Sequence, residues 1–461
     1  MTALIGFLSA VFWGLLVLSA LVFVHEGGHY LAARALRVRA TEFFLGLPCP
    51  LKLSRKSRSV GTEFGVTPIL LGGYTRICGM EGTDDELLAP ALDLVTRRGR
   101  VRAEEVAEEL GCDVDRAYDL LATLSDWAAI RPYYDAELGE KPSQSTWPAA
   151  FETTPRDGAH LTEYDRGHDF ALPGSTAAGQ PHDTGMTPEE FLAHERSRTY
   201  LGVGALKRIV MLVAGPLVNI VLAFAIITCS YMVREFSYVP DVSVIGGVEQ
   251  GTPAEAAGLA AGDQITAVGD TEVSTWNGLV EALEPYLSSG TDFELTFERD
   301  GQQRTTLVDL PDGEATELFG ILSSVASYRL TPAQAVQATF DYTGQVASYV
   351  AQLLNPSHTM EVLDQSSSVV GISAMASEAA SESLSSLLIL AAALSMSLGF
   401  MNLIPVPPFD GGKILIELIQ LVIRRPLPQR VQLGLSYVGV AFMLFVFVVV
   451  LKNDLVRFVI G

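Results

Sequence analysis

Residues 24–29 read Val24-His25-Glu26-Gly27-Gly28-His29 and close an uncharged apolar run that begins at Ala3. They contain the H-E-x-x-H pattern. Residues four apart share one face of a helix, so His25 and His29 can offer two imidazoles to one zinc ion. Glu26 would stand beside the ion, where a carboxylate can take a proton from water and pass it to a leaving amine. An amphipathic patch at a helix end is the alternative, but ionisable residues inside an apolar span are costly and usually functional.

The composition is that of a membrane protein with soluble parts. Of the 461 residues, 49 % are apolar and only 18 % are charged, which is too apolar for a typical soluble enzyme. The chain has 31 Lys and Arg against 53 Asp and Glu, a net charge of −22. This balance predicts no nucleic-acid partner, because binding phosphates needs a basic surface. The four scattered cysteines form neither a disulfide framework nor a CxxC metal site.

Four apolar stretches are long enough to cross a bilayer core of about 30 Å, which takes about 20 residues. They predict a polytopic α-helical membrane protein with transmembrane helices at residues 1–36, 209–233, 384–412 and 432–451. Lys and Arg are frequent between the first two stretches and between the last two, and scarce after the second. Because basic residues favour the cytoplasmic side, the first loop should be cytoplasmic and the segment after the second helix extracytoplasmic.

A catalytic zinc ion needs a third protein ligand. The third predicted span runs into Asn402-Leu403-Ile404-Pro405-Val406-Pro407-Pro408-Phe409-Asp410-Gly411-Gly412, where the prolines stop a regular helix. Asp410 is the only acid in this apolar stretch, which makes it the predicted third ligand. Its alternative role is to cap a helix that starts at Gly411.

The two motifs together resemble those of the site-2 intramembrane zinc metalloproteases, specifically the bacterial type with a single extracytoplasmic PDZ domain. The resemblance covers roughly residues 1–80 and 196–461. It includes Gly72-Gly73-Tyr74 with Met80-Glu81 in the first loop and Ala214-Gly215-Pro216-Leu217-Val218-Asn219 in the second span.

This resemblance implies a zinc endopeptidase of the bacterial cell (inner) membrane that cuts transmembrane segments of single-pass membrane proteins. Anti-sigma factors and remnant signal peptides are the implied substrates, cut in the second step of regulated intramembrane proteolysis. The residues implied are His25, His29 and Asp410 as zinc ligands, Glu26 as the base, and Asn402, Gly72 and Gly73 as substrate contacts.

Residues 59–81 place short apolar runs between glycines and predict a membrane-associated β-hairpin. The resemblance implies that this segment re-enters the membrane as a β-loop. An open strand edge there would let an extended substrate add as a further strand. An ordinary hairpin beside the membrane is the alternative.

The extracytoplasmic segment predicts an α+β domain at residues 242–310, whose order of strands and helices is PDZ-like. Such a domain over the active site would be a size filter that excludes substrates with an intact outer domain, and a passive spacer is the alternative. Apolar residues with helical spacing predict an outer amphipathic helix at residues 331–355. The Ser-rich run at residues 366–386 predicts a linker.

The acidic cytoplasmic insert, residues 82–195, is where the resemblance fails. It holds about 24 acidic and about 9 basic residues and must be solvated. Two helical patterns around a Gly-containing turn predict a mostly helical, winged-helix-like part at residues 98–132, and its acidity favours a cytoplasmic protein partner or simple packing over DNA. Residues 133–187, rich in Pro, Gly, Ser and Thr, predict a flexible segment. Its histidines and one that follows are predicted to lie on the surface: His160, His168, His182 and His194.

Two functions compete with the protease. One is a catalytically inactive membrane PDZ scaffold with a structural metal site, which would need the two histidines but not Glu26. The other is zinc transport, which is less favoured because only one ionisable cluster lies within the predicted spans.

Overall fold

The computed structural model describes residues 2–80, 84–142, 144, 146–310, 318–425 and 427–456. In chain order its helices are α1 (Thr2–Ala35), α2 (Leu88–Arg98), α3 (Ala103–Leu110), α4 (Val114–Asp126), α5 (Pro188–Arg196), α6 (Ala205–Val233), α7 (Pro253–Ala256), α8 (Trp276–Ser289), α9 (Pro332–Gln352), α10 (Thr359–Gln365), α11 (Val369–Glu382), α12 (Leu384–Asn402), α13 (Asp410–Ile423) and α14 (Gln429–Leu455). The strands are β1 (Ala40–Leu45), β2 (Leu53–Lys56), β3 (Glu63–Val66), β4 (Gly73–Ile77), β5 (Arg100–Arg102), β6 (Ile130–Tyr133), β7 (Ala150–Thr153), β8 (Glu235–Tyr238), β9 (Ile245–Val248), β10 (Gln264–Val268), β11 (Thr271–Glu272), β12 (Phe293–Arg299), β13 (Gln302–Val308), β14 (Ile321–Ser323) and β15 (Ala326–Arg329).

Four of the described helices, α1, α6, α12 and α14, are long and apolar enough to cross a membrane. The chain is therefore a multi-pass membrane protein. It divides into two compact units, one of residues 1–228 with 338–461 and the other of residues 229–337. We call the first the membrane unit and the second, after its predicted location outside the cytoplasm, the outer unit.

In the membrane unit, α1 and α6 run antiparallel. The end of α1 and the start of α6 share one apolar cluster, to which Ala33, Tyr200 and Met211 contribute. The second span was predicted from residue 209, but α6 begins earlier at Ala205. Its first turn carries charged side chains, so a hydropathy pattern does not include it although the backbone is already helical.

Residues 59–80 do not form a hairpin, which corrects the prediction for residues 59–81, whose last residue lies outside the described part of the chain. Strands β3 and β4 both pair with β1, the first in parallel and the second antiparallel, and β2 pairs with β3. The four strands form one sheet in the order β2-β3-β1-β4. The alternating pattern indicated strands there but not their partners, because β1 and β2 lie earlier in the chain.

The tip of this sheet lies beside the first span. The loop between β3 and β4 exposes the apolar side chains Ile69, Leu70 and Leu71. Within α1, Ser19 Oγ donates a hydrogen bond to the carbonyl oxygen of Leu70 over 2.5 Å. An exposed apolar tip at this position supports re-entry into the membrane, which stays a prediction.

The predicted third span, residues 384–412, is not one helix. Helix α12 ends at Asn402, and α13 begins at Asp410. The prolines between them lack the N–H groups that would continue the helix, so the chain turns before the aspartate.

The Ser-rich run at residues 366–386 is not a linker, which corrects the prediction. Most of it forms α11, which packs against α1: Ser377 and Ser9 share a hydrogen bond of 2.7 Å between their hydroxyls. A Cβ at Gly14 would overlap the side chain of Ser373. Small side chains let helices in a membrane come close together, so serine richness here reflects helix packing.

Helix α9 lies where an amphipathic helix was predicted at residues 331–355. It contacts α6 through the rings of Phe340 and Phe224, whose centroids are 4.9 Å apart. Near its end, Val350 joins an apolar cluster with Ile404 and Val450. Whether α9 lies at an outer membrane surface stays a prediction.

The insert combines helices with a small sheet, and its likeness to a winged helix stays a prediction. Helices α3 and α4 follow β5, and β5, β7 and β6 form an antiparallel sheet in that order. Helix α2 packs into the same apolar core. The predicted boundaries, residues 98–132, are too narrow, because α2 precedes them and β7 comes from the segment predicted to be flexible.

The middle of that segment, residues 148–165, is packed, which corrects the prediction of flexibility for this part. Its side chains Arg156 and Asp165 are almost completely buried. Arg39, just beyond α1, donates to Asp165 over 2.6 Å and to Glu195 over 2.7 Å, and Arg156 donates to Glu195 over 2.9 Å. We call these residues the Arg39 network. Composition suggested disorder because the segment has few aliphatic residues, but buried ion pairs hold it in place.

The Arg39 network keeps its carboxylates ionised. Burial alone would raise the pKa of Asp165, but the charge and hydrogen bonds of Arg39 outweigh it and lower that pKa to about 2. Burial likewise opposes ionisation of Glu195, but Arg156 and Arg39 hold its pKa well below the usual range. The stability that these pairs contribute is therefore present above about pH 4 and is lost only as the pH falls through the lowered pKa values.

The histidines of the insert are not all on the surface, which corrects the prediction for His182. This side chain is buried, with its Nε2 2.9 Å from His160 Nδ1 and its Nδ1 3.1 Å from Thr176 Oγ1. Burial and the nearby positive charge of Arg156 lower the pKa of His182 to about 4. His182 is therefore neutral at physiological pH.

The outer unit is an α+β fold. Four of its strands form a sheet in the order β11-β10-β12-β13, and β9 pairs with β14. Helix α8 packs on the sheet through Leu279 and Leu283, which share a core with Phe293. The predicted domain at residues 242–310 stops short of β14, and its likeness to a PDZ domain stays a prediction.

Cysteine labelling tests the predicted sidedness of the insert and the outer unit. Position Ser143 of the insert lies outside the described residues, so the exposed Glu189 of α5 serves instead, and the exposed Gln303 of β13 serves for the outer unit. We expect a membrane-impermeant maleimide to label Gln303→Cys in intact cells and Glu189→Cys only after permeabilisation, because basic residues favour the cytoplasm.

The native thiols set the background for this labelling. Burial raises the pKa of Cys78 to about 12, so it stays protonated and unreactive and can remain. Cys49, Cys112 and Cys229 would be replaced by serine. Labelling of both introduced cysteines in intact cells would contradict the predicted topology.

The buried imidazole of His182 predicts a pH-dependent stability of the insert. In the unfolded chain its pKa returns to about 6.5, so the unfolded state binds a proton that the folded state refuses between pH 6.5 and about 4. As the pH is lowered from 6.5 to about 4, the free energy of unfolding should fall, by at most about 1.4 kcal/mol per pH unit from this one group. Thermal unfolding measured across this pH range tests the change. We expect His182→Gln to flatten the dependence and His358→Gln, at an exposed position, to leave it unchanged. Equal slopes in the wild type and both variants would refute the assignment.

Candidate metal centre

His25, His29 and Asp410 meet at one point in the membrane unit. The Nε2 atoms of the two imidazoles lie 3.1 Å apart. Oδ2 of Asp410 lies 3.0 Å from Nε2 of His25 and 3.2 Å from Nε2 of His29. Both histidines are buried, and the Asp410 side chain is 14 % exposed. The fold thus brings two residues of α1 together with one that lies 385 residues after His25 in the chain.

The orientation of His29 is fixed by α6. Its Nδ1–H donates to the carbonyl oxygen of Met211 over 2.7 Å. Because a carbonyl can only accept, this bond assigns the proton of a neutral imidazole to Nδ1 and leaves the Nε2 lone pair free for a metal. Nδ1 of His25 is buried and has no hydrogen-bond partner among the described residues.

The three converging atoms fit a zinc ion. A carboxylate oxygen and imidazole lone pairs this close together repel one another unless a cation lies between them. A tetrahedral zinc ion with bonds of about 2.0–2.1 Å holds its ligand atoms about 3.3 Å apart, which is close to the separations of 3.0, 3.1 and 3.2 Å found here. Two histidine nitrogens with one carboxylate oxygen are also a donor set of zinc hydrolases.

Close contact between α1 and α6 places His29. A Cβ at Gly28 would overlap the carbonyl oxygen of Ala214, and a Cβ at Gly215 would overlap Nε2 of His29. Helix backbones in membranes approach this closely only where side chains are small. The motif spacing gave Gly215 no role. The sequence signal that could have indicated a role for Gly215 is its position as a glycine in the middle of an apolar span.

Asp410 is placed by the turn between α12 and α13. It is the first residue of α13, and Phe409 stands at the capping position. The Asp410 carboxylate therefore does not cap α13, and it faces the two histidines; its role as a zinc ligand stays a prediction. A Cβ at Gly411 or at Gly412 would overlap the backbone of the preceding turn, so the two glycines let the helix begin directly behind that turn.

Glu26 lies on α1 next to β4. It is partly exposed, whereas His25 and His29 are buried. The hydroxyl of Thr75, in the middle of β4, donates to the backbone carbonyl of Glu26 over 3.1 Å. This bond places the edge strand of the sheet beside the residue predicted to be the base.

The predicted substrate contacts Asn402, Gly72 and Gly73 are not among the three residues that converge. Asn402 ends α12, and its Nδ2 donates to the carbonyl oxygen of Leu398 over 3.0 Å. Gly72 has φ +142°, and its Cβ would lie 3.3 Å from the side chain of Val22. A Cβ at Gly73 would lie 2.7 Å from the carbonyl oxygen of Phe44. The two glycines thus allow β4 to start close against α1.

A partly buried ion pair joins α6 and α13. Arg208, one turn before Met211 on α6, donates from Nη2 to Oε2 of Glu417 over 2.8 Å. Glu417 lies two turns after Asp410 on α13, and Tyr200 donates to its other oxygen. The sequence patterns assigned no role to Glu417, although an acid inside an apolar helix was a usable signal.

The chain is similar along nearly its whole length to known proteins. Residues 13–446 match the family model described as Peptidase family M50. A putative zinc metalloprotease of Lactococcus lactis subsp. lactis is 27 % identical over 455 residues, which cover 96 % of this chain and 97 % of that protein. Zinc metalloprotease RasP of Geobacillus kaustophilus is 25 % identical over 96 % of this chain and 97 % of its own. Regulator of sigma-W protease RasP of Bacillus subtilis is 23 % identical over 98 % and 99 %.

The contact between α1 and α6 predicts that Gly215 controls metal binding. In Gly215→Ala the added methyl group would displace the His29 imidazole, so we expect zinc affinity to fall by about tenfold or more. Zinc content of the purified protein after dialysis against graded chelator concentrations measures this. Gly6→Ala is the matched control, because a Cβ at Gly6 has no neighbour within 4 Å. Equal zinc retention in both variants would show that the close contact does not set the centre.

Proposed function

The chain belongs to peptidase family M50, and from this membership we propose that His25, His29 and Asp410 hold its catalytic zinc ion and that Glu26 is the general base. The protein is a zinc metalloendopeptidase of the site-2 type, which cuts its substrates within the membrane. The observation that carries the residue assignment is the convergence of one ligand atom from each of three residues to within 4.8 Å of one another.

Each side chain has a separate task in this proposal. Zinc, when bound, supplies a Lewis acid that polarises a carbonyl and makes water more acidic. The hydrogen bond to Met211 holds His29 in the tautomer and orientation that ligation needs. The Glu26 carboxylate takes the proton of the attacking water and delivers it to the nitrogen of the leaving amine.

Cleavage of a transmembrane helix needs local unwinding, and we propose that β4 receives the unwound chain. A helix keeps its carbonyls in internal hydrogen bonds, and groups freed inside the membrane must find new partners. Strand β4 is at the edge of its sheet and pairs with β1 on its other side. Its hydroxyl contact with the Glu26 backbone supports strand addition next to the base. Gly72 and Gly73 would leave the substrate backbone room at the start of β4, and Asn402 would bind it from α12.

Single-pass membrane proteins are the substrates in this proposal, with anti-sigma factors and remnant signal peptides as the classes. One similar protein is named a regulator of sigma-W protease, which supports the anti-sigma class and a second cut in regulated intramembrane proteolysis. The cell (inner) membrane of a bacterium is the proposed location. A PDZ role for the outer unit, a size filter and a cytoplasmic protein partner of the insert stay predictions.

Separate roles for the ligands and the base predict separable mutant phenotypes. We expect Glu26→Gln to keep zinc but to lower cleavage by about a hundredfold to ten-thousandfold, the usual effect of removing a general base. His25→Ala and Asp410→Ala should lose zinc as well as cleavage. Metal analysis of each purified variant, with cleavage of a single-pass reporter in the same detergent, measures both effects.

The same variants decide between the protease and the scaffold with a structural metal site. Full cleavage by Glu26→Gln, or equal loss of zinc in all three variants, would contradict the proposed roles. In cells that carry Glu26→Gln, uncut single-pass fragments of the true substrates should accumulate, and their identity tests the proposed substrate classes.

A further inference from the structure

Asn219 is a buried polar side chain that the proposed chemistry does not use. It lies in the middle of α6, and its exposed fraction is 0 %. Neither Nδ2 nor Oδ1 has a hydrogen-bond partner among the described residues. A buried amide without partners is costly, because it loses its bonds to water and gains none in return. An apolar side chain would therefore suit the free enzyme better.

The position of Asn219 ties it to the metal centre. Met211, Gly215 and Asn219 follow one another at intervals of four residues on the buried face of α6. The first holds His29 through its carbonyl oxygen, and the second lies against the His29 imidazole. Asn219 is one further turn along, about 6 Å by helical rise. Because α6 runs antiparallel to α1, this turn lies on the membrane-interior side of the centre.

The backbone of the same helix turn contacts α12. Ser395 of α12 donates to the backbone carbonyl of Asn219 over 3.0 Å. A Cβ at Gly399 would lie 2.9 Å from the carbonyl oxygen of Pro216. This part of α6 is thus held between α1 and α12, one helical turn beyond Gly215, which lies against the His29 imidazole.

We propose that the Asn219 side chain binds a main-chain peptide unit of the unwound substrate. This inference rests on the proposed function and deepens it. Unwinding frees one C=O and one N–H per peptide unit where water is scarce, and Asn219 offers the complementary donor and acceptor. Nδ2–H donates to the substrate carbonyl, and Oδ1 accepts from the substrate N–H. At about 3.3 Å per extended residue, this peptide unit is about two residues from the scissile bond.

Asn219 differs from Asn402 in what it does before substrate binds. Nδ2 of Asn402 already donates to Leu398 within its own helix, whereas both polar atoms of Asn219 are unpaired in the part of the chain that the structure describes. Substrate binding would therefore satisfy two polar groups at once at Asn219. The free energy lost in burying the amide is recovered only in the complex, which favours the unwound substrate.

The test begins with Asn219→Leu, a change of similar volume that removes both polar atoms. We expect unchanged zinc content and an unchanged or higher melting temperature, because removing an unpaired buried amide is neutral or stabilising. We expect kcat/KM to fall about tenfold to a hundredfold, the value of two lost hydrogen bonds. Cys229→Leu, at an exposed position of the same helix, is the control and should behave as the wild type.

Synthetic transmembrane substrates with one backbone amide replaced by an ester complete a double-mutant cycle. An ester two residues from the scissile bond lacks the N–H that Oδ1 would accept. It should slow the wild type and should not slow Asn219→Leu further. Additive losses would show that Asn219 does not bind this unit.

The remaining outcomes also decide whether Asn219 binds the substrate. Wild-type activity of Asn219→Leu would overturn the inference, and a lower melting temperature with lost zinc would assign Asn219 a structural role instead. Glu26→Gln serves as the reference in the same assay. If that variant still cleaves, the proposed function fails; if it is inactive while Asn219→Leu is normal, only the role of Asn219 fails.

Discussion

Close contact between α1 and α6 is the constraint on which the metal centre depends. The two histidines need only the regular spacing of α1, but their orientation comes from the facing helix, through the Met211 carbonyl and the space left at Gly28 and Gly215. A larger side chain at either glycine would separate the backbones. Glycines at the contact let the backbones of α1 and α6 come close together, and this close approach brings the Met211 carbonyl within hydrogen-bond distance of His29.

The two histidines of this centre are buried. A polar group near them has lost its bonds to water, so leaving it without a partner costs free energy. Glu417 and Arg208 neutralise each other where α13 and α6 meet. The edge of β4 has backbone groups to offer beside Glu26, and the amide of Asn219, one turn beyond Gly215 on α6, has no partner among the described residues. A substrate helix that unwinds there has the same need for partners. The polar groups that the enzyme leaves without partners can therefore bind the C=O and N–H groups that an unwound substrate exposes. The same contacts would stabilise both the enzyme and the extended substrate.

The insert is built into the membrane unit through charge. Arg39 follows α1 directly and is buried against Asp165 and Glu195 of the insert. Removing one partner of such a pair leaves an uncompensated buried charge, which costs about 3–5 kcal/mol. The end of the helix that carries His25 and His29 is therefore held in part by the insert, so the insert contributes to the frame around the centre.

The sequence by itself determined the chemistry and much of the membrane architecture. The motif at residues 24–29 and the lone acid Asp410 identified the three side chains that the fold brings together, and hydropathy located the four long helices. These features are local, because helical spacing and hydrophobicity act over one turn or one span.

Only the tertiary structure decided which residues and segments contact one another. It paired β3 and β4 with β1, made a helix of the Ser-rich run, buried His182 and packed a segment whose composition suggested disorder. It also gave roles to Gly215 and Met211, and it left the side-chain amide of Asn219 without a partner among the residues that the structure describes. Each of these outcomes depends on which residue, far away in the chain, arrives at the same place, and a pattern within one segment carries no information about that distant neighbour.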